Sequence, residues 1–189
     1  EAFQWLLAPG GDPNLAPDIV NGSWGVTGQS DAFYEDVRLL REANIIPVFA
    51  AGNEGPAPAS VSYPGSYDNT IAVGALDYFD IVTWFSSRGP SNFTATPKPD
   101  LVAPGAEILS TYPDGRYAYA NGTSMATPHV AGAIALMLSA DGTLTYDEIW
   151  QTLTNTAAPY DDTLTYPNDS GGWGRLDSYA AVQPHANHG

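Results

Sequence analysis

The chain has 189 residues, 43% of them hydrophobic and 14% charged, enough for the core of one domain and too few to argue for two. Its formal net charge is −15, from 21 acidic against six basic residues, so a phosphate backbone would be repelled and nucleic acid is excluded as a partner. The absence of cysteine removes disulfides, zinc–thiolate centres and a thiol nucleophile together, and no apolar run approaches the roughly 18 residues of a membrane span, so no membrane partner is expected.

At the start, Phe3, Leu6 and Leu7 fall at helical spacing with no capping residue ahead of them, and neither an initiator Met nor a basic leader precedes them. They read as a helix met partway along, and the chain as the C-terminal piece of something longer. Ala8 to Pro17 is a loop by its Pro and Gly content, and Asp18 to Gly25 reads as a short buried strand ending in a Gly-rich bend. Ser30 or Asp31 can cap a helix running to about Ala43, with Phe33, Val37 and Leu40 on one face and Glu35, Arg38 and Arg41 on the other. Ile45 to Ala51 is a continuous apolar run of the kind found in strands covered on both faces, with Pro47 placed near its start. Strand, helix, strand in that order implies a parallel sheet. Gly52-Asn53-Glu54-Gly55 then arrives at the C-terminal end of a strand, where open α/β sheets bind ligands. Taken alone, Asn53 would be a turn former.

Further along, Thr70 to Ala75 reads as a strand, and Ile108 to Thr111 and Arg116 to Ala120 as two more around the turn Pro113-Asp114-Gly115. Thr145 and Glu148 make a capping-box pattern for a helix to about Asn155. Trp173 to Asp177 leads into a last short helix, and residues 183–189 read as a flexible tail. The alternation of apolar and amphipathic runs predicts an α/β fold: a three-layer αβα sandwich with a mostly parallel sheet and helices on both faces, formed by residues 1–189 as a single domain.

One stretch stands apart. Ala120-Asn121-Gly122-Thr123-Ser124-Met125-Ala126-Thr127-Pro128-His129-Val130-Ala131-Gly132 feeds a small polar turn into a run where Val130, Ile134, Met137 and Leu138 keep helical spacing. Ser124 should therefore stand where a helix begins, facing unpaired N–H groups and the positive end of the helix dipole. Pro128 is expected in the first turn, where its missing N–H costs nothing. A lone Ser in such a place is usually an N-cap. The run nevertheless resembles, residue for residue, the nucleophile segment of the subtilisin-like (subtilase) serine peptidases. It is not the Gly-x-Ser-x-Gly elbow of α/β-hydrolases, since Ala126 stands where the second Gly would be.

The resemblance extends from about Asp18 to Ala181, with further landmarks at Trp84 to Pro90 and Asp100 to Gly105. It implies an endopeptidase acting on polypeptides through an acyl-enzyme on Ser124, with Asn53 as the side-chain donor of the oxyanion hole. It also implies a substrate groove lined by Ser23, Trp24, Gly25, Ala51, Gly52 and Ser62. Those walls carry no charge, which points to large apolar or aromatic P1 side chains. The chemistry implied needs no cofactor. Asp100 matches a position that helps hold a weak cation in some subtilases, so a structural calcium is compatible with the pattern, against a purely structural carboxylate.

Acyl transfer by Ser needs a base within reach and a group to orient it. The histidines are His129, His185 and His188. His129 lies on the nucleophile's own helix, where the family pattern has a buried structural His, and the other two fall in the tail, where solvent is expected. In the family the catalytic Asp and His lie on segments upstream of the counterpart of Glu1. The resemblance thus implies a C-terminal portion of a secreted, extracellular catalytic domain whose partner is the upstream part of the same domain. The competing reading is a non-catalytic descendant or an extracellular binding domain.

Overall fold

A computed structural model describes residues 1–186; residues 187–189, including His188 and the end of the expected tail, lie outside the described residues. Four strands form one parallel sheet in sequence order: β1 (Ile19–Gly22), β2 (Ile46–Ala50), β3 (Ile71–Leu76) and β4 (Leu101–Pro104). The register pairs Ile19 with Ile46, Val48 with Ile71 and Val73 with Leu101. Every residue of β2 and β3 is buried, as a parallel sheet covered on both faces requires. Pro47 precedes the first β2–β3 pair, so its missing N–H leaves that ladder intact.

The long helix α3 (Thr123–Ala140) lies across all four strands, and α4 (Tyr146–Thr156) and α5 (Ser178–Val182) complete that layer. Its core joins Ile46, Val48, Ile71, Val73 and Leu101 to Val130, Ile134, Met137, Ile149 and Leu153. On the opposite face α1 (Ala2–Leu7) and α2 (Tyr34–Glu42) cover Phe49, Tyr63 and Tyr67 with Phe3, Phe33, Tyr34 and Val37. This is the three-layer α/β sandwich expected. The hairpin β5 (Ile108–Tyr112) and β6 (Arg116–Ala120) projects from it as a separate antiparallel pair.

Several local expectations hold and several do not. Thr145 and Glu148 form the reciprocal capping box at the start of α4, and Asp177 caps α5 by accepting from the Ala180 N–H. By contrast α2 starts at Tyr34, and neither Ser30 nor Asp31 caps it through a side chain. The Tyr67 hydroxyl explains the shift: it donates to the Ser30 carbonyl at 3.0 Å and accepts from the Phe33 N–H at 3.3 Å, holding residues 30–33 outside the helix. Of the expected tail, Gln183–His185 forms a 3₁₀ turn whose His185 Nε2 meets Thr152 Oγ1 of α4 at 3.4 Å.

Pro128 is the main correction. With Thr123 as the first helical residue, Pro128 stands sixth and inside α3, beyond the turn whose N–H groups are free. Its ring nitrogen cannot donate to the carbonyl of Ser124. That carbonyl instead accepts from Ser23 Oγ at 2.9 Å.

Candidate active site

The C-terminal ends of the strands converge on the start of α3. β1 ends one residue before Ser23, β2 delivers Ala51 to Asn53, and the residue after β4, Gly105, accepts from the Gly122 N–H at 2.8 Å. The Gly105 Cα approaches so closely that an added Cβ would lie 2.5 Å from Ala75 Cβ. The sheet therefore fixes the helix start from three directions.

Asn53 Oδ1 accepts from the Thr123 N–H at 2.9 Å and from the Thr123 hydroxyl at 3.2 Å. It caps a helix whose own N-cap residue, Gly122, has no side chain with which to do so. With Oδ1 engaged, Nδ2 is the atom of the carboxamide left to donate. Gly122 has φ 153° and ψ 158°, a conformation reserved for glycine. A Cβ built on it would lie 3.6 Å from Asn53 Nδ2 and 3.6 Å from the Ser124 nitrogen. That Cβ position is within reach of two N–H groups, with Asn53 Oδ1 at 3.7 Å, and among the described residues the Ser124 N–H has no acceptor. Two donors facing one point at a helix N-terminus favour negative charge there.

Ser124 is half-buried, and its hydroxyl donates to the carbonyl of Ser23 at 3.1 Å. A carbonyl oxygen cannot take that proton, so within the described residues the hydroxyl has no base. His129 is five residues away on the same helix, its Nδ1 set 2.9 Å from the Met125 carbonyl, and it is exposed where a buried residue was expected. His185 is on α4's far layer, held to Thr152.

The expected groove residues do come together. Val26 and Tyr63 exchange both backbone hydrogen bonds, at 2.8 and 3.0 Å, which lays Gly25 along Ser62 so tightly that a Cβ on Gly25 would meet Ser62 Cβ at 2.6 Å. Ser62 N–H donates to the Ala51 carbonyl at 2.8 Å. Gly52, at φ 106°, has room for no side chain: a Cβ would fall 2.3 Å from Ser62 Oγ and 2.5 Å from Glu54 Oε2. Trp24 is exposed, and its indole packs edge-on against Phe33 and Phe49 at centroid distances of 5.3 and 5.7 Å.

Glu54, which local sequence does not single out, adds a carboxylate beside two of the expected wall residues. Its Oε2 accepts from Ser62 Oγ at 2.9 Å and from Ser87 Oγ at 3.2 Å, which holds a carboxylate beside Gly52 and Ser62. The residue itself is exposed. Nothing in its local sequence pairs it with Ser62 or Ser87; only the loop geometry does.

Asp100 is 6% exposed and fully engaged. Its Oδ2 accepts from Lys98 Nζ at 2.6 Å and from the Ala72 N–H at 2.7 Å, and its Oδ1 from Trp150 Nε1 at 3.2 Å. Among the described residues no three His, Cys, Asp or Glu side chains cluster as a metal would need. A cation at Asp100 does not fit this arrangement while the Lys98 ammonium is there.

The family model described as the Subtilase family matches residues 1–174. The chain is 38% identical to Bacillopeptidase F of Bacillus subtilis (strain 168), an alignment covering 96% of this chain and 14% of that protein. It is 38% identical to Subtilisin DY of Bacillus licheniformis, covering 88% of this chain and 57% of that one. Its fold is similar to that of the prenylagaramide maturation protease PagA, with a TM-score of 0.78 at 28% identity over 91% of this chain and 63% of that chain. The chain thus spans less than two thirds of the length of these relatives. It matches them over nearly its whole length, and it belongs to the subtilase family, the S8 serine peptidases.

Proposed function

We propose that this chain supplies the nucleophile, oxyanion hole and substrate groove of a subtilisin-like serine endopeptidase acting on polypeptides. The observation that carries this reading is that two free donors, Asn53 Nδ2 and the Ser124 N–H, both lie beside Gly122, each 3.6 Å from where a Cβ on that glycine would stand. Ser124 Oγ attacks the scissile carbonyl, whose oxygen becomes negative as its π bond opens. Donors already pointed at that oxygen stabilise it more than the neutral substrate, which lowers the barrier. The tetrahedral intermediate then expels the amine and leaves an acyl ester on Ser124, which water hydrolyses. The extended backbone of the peptide would run along Ser23 to Gly25 with its P1 side chain against Ala51, Gly52 and Ser62. The chemistry draws on no cofactor.

The proton of Ser124 Oγ must pass to a base, and we assign that base, with the carboxylate that orients it, to an upstream part of the same domain. Two surfaces support this. Helix α3 is apolar nearly all round, yet Pro128, Gly132, Ala135 and Leu136 are exposed, and a Cβ on Gly132 would meet nothing within 4 Å. A helix of that composition belongs in an interior. Beside it, a cleft of about 340 Å³ separates Ser124, Met125 and His129 from Ile108 to Ser110 of β5. Strand β1 is also an edge of the sheet, with one neighbour among the described residues. No described helix is long and apolar enough to cross a membrane. By similarity to the subtilisins we place the enzyme outside the cell.

A fluorophosphonate probe tests the assignment. In the full-length protein it should label Ser124 and leave the Ser124→Ala variant unlabelled. Residues 1–189 alone should react at no more than a residual rate, since an oxyanion hole and binding without the other triad members leave about 10³ to 10⁴ over water, a figure taken from subtilisin itself. Absence of labelling in the full-length protein would favour the non-catalytic reading.

A further inference from the structure

Past Leu76 the chain leaves β3 in a tight turn that Asp77 builds. Asp77 Oδ1 accepts from the Phe79 N–H at 2.9 Å and from the Ile81 N–H at 3.0 Å, and the Asp77 N–H donates to the Ile81 carbonyl at 2.9 Å. A turn held by one carboxylate needs no apolar side chains. This one carries Tyr78, Phe79 and Ile81 and is followed by Trp84, all of them exposed, Tyr78 at 90% and Trp84 at 76%. Tyr78 and Phe79 meet edge to face at 5.5 Å, as do Trp84 and Phe85 at 5.7 Å. Ala106 and Glu107, which follow β4, and Tyr119 of β6 line the same space. Two openings of about 800 and 530 Å³ share Asp77, Tyr78, Ala106 and Glu107, and so form one groove. Aromatic walls with a few polar groups, at that size, are the ordinary make-up of a binding site.

We infer that this groove receives the leaving-group side of a polypeptide substrate, from about the third residue after the scissile bond onward, and selects bulky apolar side chains together with a basic one. The inference rests on the peptidase reading above. The sheet order β1-β2-β3-β4 sets the direction. The acyl half of the peptide lies over the ends of β1 and β2, where Ser23 to Gly25 and Ala51 to Asn53 stand, so the other half crosses the ends of β3 and β4. β4 is two strands from β2, or about 10 Å, and an extended residue covers about 3.4 Å, which sets the distance at about three residues. Glu107 joins the groove to the nucleophile's segment, since its N–H donates to Asn121 Oδ1 at 2.7 Å. Its carboxylate has no partner among the described residues, whereas Asp80 is paired with Arg175 and the Arg88 guanidinium donates to Ser170 Oγ. Glu107 is thus the charge left to attract a cation, on a chain whose net charge is −15. The outer edge of β4 is already covered: the Val102 N–H donates to the Gly174 carbonyl at 3.0 Å and the Leu176 N–H to the Val102 carbonyl at 2.9 Å. That leaves β1, at the other end of the sheet, as the edge open to the upstream part of the domain, and the groove to the substrate.

Three internally quenched peptides test this with the full-length protein. They share one sequence up to the scissile bond and two alanines after it, and continue as Ala-Ala-Ala, Phe-Arg-Phe or Phe-Glu-Phe. In the parent, kcat/KM for Phe-Arg-Phe should exceed that for Ala-Ala-Ala by about ten-fold. Tyr78→Ala/Trp84→Ala should bring that ratio close to one; both side chains are exposed, so the double variant keeps its fold. Glu107→Gln should lower the preference for Phe-Arg-Phe over Phe-Glu-Phe about five-fold. Equal rates on the three peptides would overturn the inference, as would a preference that the double variant leaves intact. A p-nitroanilide with the same acyl sequence ends short of the groove. If the full-length protein does not hydrolyse it, the peptidase reading falls and this inference with it; hydrolysis with equal rates on the three peptides sinks this inference alone. A dimer in sedimentation velocity that Tyr78→Ala/Trp84→Ala dissociates would assign the surface to a second copy, and would overturn the inference too.

Discussion

Ser23 and Ser124 are bonded twice and reciprocally: Ser23 Oγ donates to the Ser124 carbonyl at 2.9 Å, and Ser124 Oγ donates to the Ser23 carbonyl at 3.1 Å. The first bond repairs what Pro128 breaks, since the Ser124 carbonyl sits four residues before a residue with no N–H. It also ties the backbone of Ser124 to the end of β1, so the Ser23 side chain positions the helix start. Replacing Ser23 by Ala should therefore cost about 1 kcal/mol of stability by leaving that carbonyl unpaired. In a Pro128→Ala background the new Ala N–H can serve the carbonyl, and the same Ser23→Ala change should cost only a few tenths of a kcal/mol. Urea unfolding of the four proteins in the cycle measures the coupling directly. Equal costs in both backgrounds would show that the hydroxyl does not compensate for the proline.

This relationship marks where the sequence stops being readable. The strand runs Ile45 to Ala51 and Thr70 to Ala75, the hairpin and the Thr145–Glu148 box are written in local period and capping chemistry, and they appear within a residue or two of where they were expected. Ser124 at the start of α3 and Asn53 at the end of β2 are legible for the same reason, because a strand end and a helix start are local events. Contacts across the chain are not. Ser23 and Pro128 are far apart in sequence, and nothing near either predicts that the hydroxyl of one serves the carbonyl freed by the other. Glu54 meets Ser62 and Ser87 only because Gly52 turns at φ 106° and lets three loops close around it. Asp100 read as a carboxylate that a metal could use until Lys98, two residues before it, proved to fold back onto it.

Glu54 bears on specificity. A carboxylate held beside Ser62 by two hydroxyls should attract a basic P1 side chain and repel an acidic one. Glu54→Gln keeps the hydrogen-bonding oxygen and removes the charge. Coulomb energy at several ångström in a partly solvated groove is of order 1 kcal/mol, so kcat/KM for Lys at P1 should fall roughly five-fold relative to Phe. The change should shrink in high salt because the groove is open to counterions. A Lys/Phe ratio indifferent to both substitution and salt would mean that the charge does not reach the P1 side chain.

The start of α4 has a pH signature. Hydrogen bonds from the Thr145 N–H, at 2.8 Å, and from the Thr145 hydroxyl, at 2.7 Å, hold the Glu148 carboxyl below its ordinary range. A depressed carboxylate contributes stability that is present above the unfolded-state value near 4.5 and is lost as pH falls through the lower folded-state value. Glu148→Gln can still accept from Thr145 but cannot titrate. Against pH, the difference in Tm between parent and Glu148→Gln should be constant from neutral down to about pH 5 and then narrow below the ordinary carboxylate range. A difference that stays flat to pH 3 would separate the capping bond from ionisation.

In the proposed mechanism Asn53 has two tasks, and its two polar atoms divide them. Oδ1 caps α3 by accepting from the Thr123 N–H, while Nδ2 is left to donate into the space beside Gly122. Asn53→Ala removes both. It should destabilise the fold by about 1 kcal/mol through the lost cap. In the full-length protein it should also lower kcat by about 10² to 10³, or ~2.7 to 4 kcal/mol, with KM little changed, the magnitude of the equivalent loss in subtilisin. Asn53→Asp isolates the second task, because a carboxylate still accepts from Thr123 and suits the positive end of the helix, yet it puts negative charge where the oxyanion must form. Its stability should match or exceed the parent's, and its kcat should fall at least as far as that of Asn53→Ala. Rates on active-site-titrated protein, set against urea midpoints, decide the matter. If Asn53→Asp keeps both its stability and its kcat, Asn53 is a helix cap and nothing more, and the second donor of the oxyanion hole must be sought elsewhere.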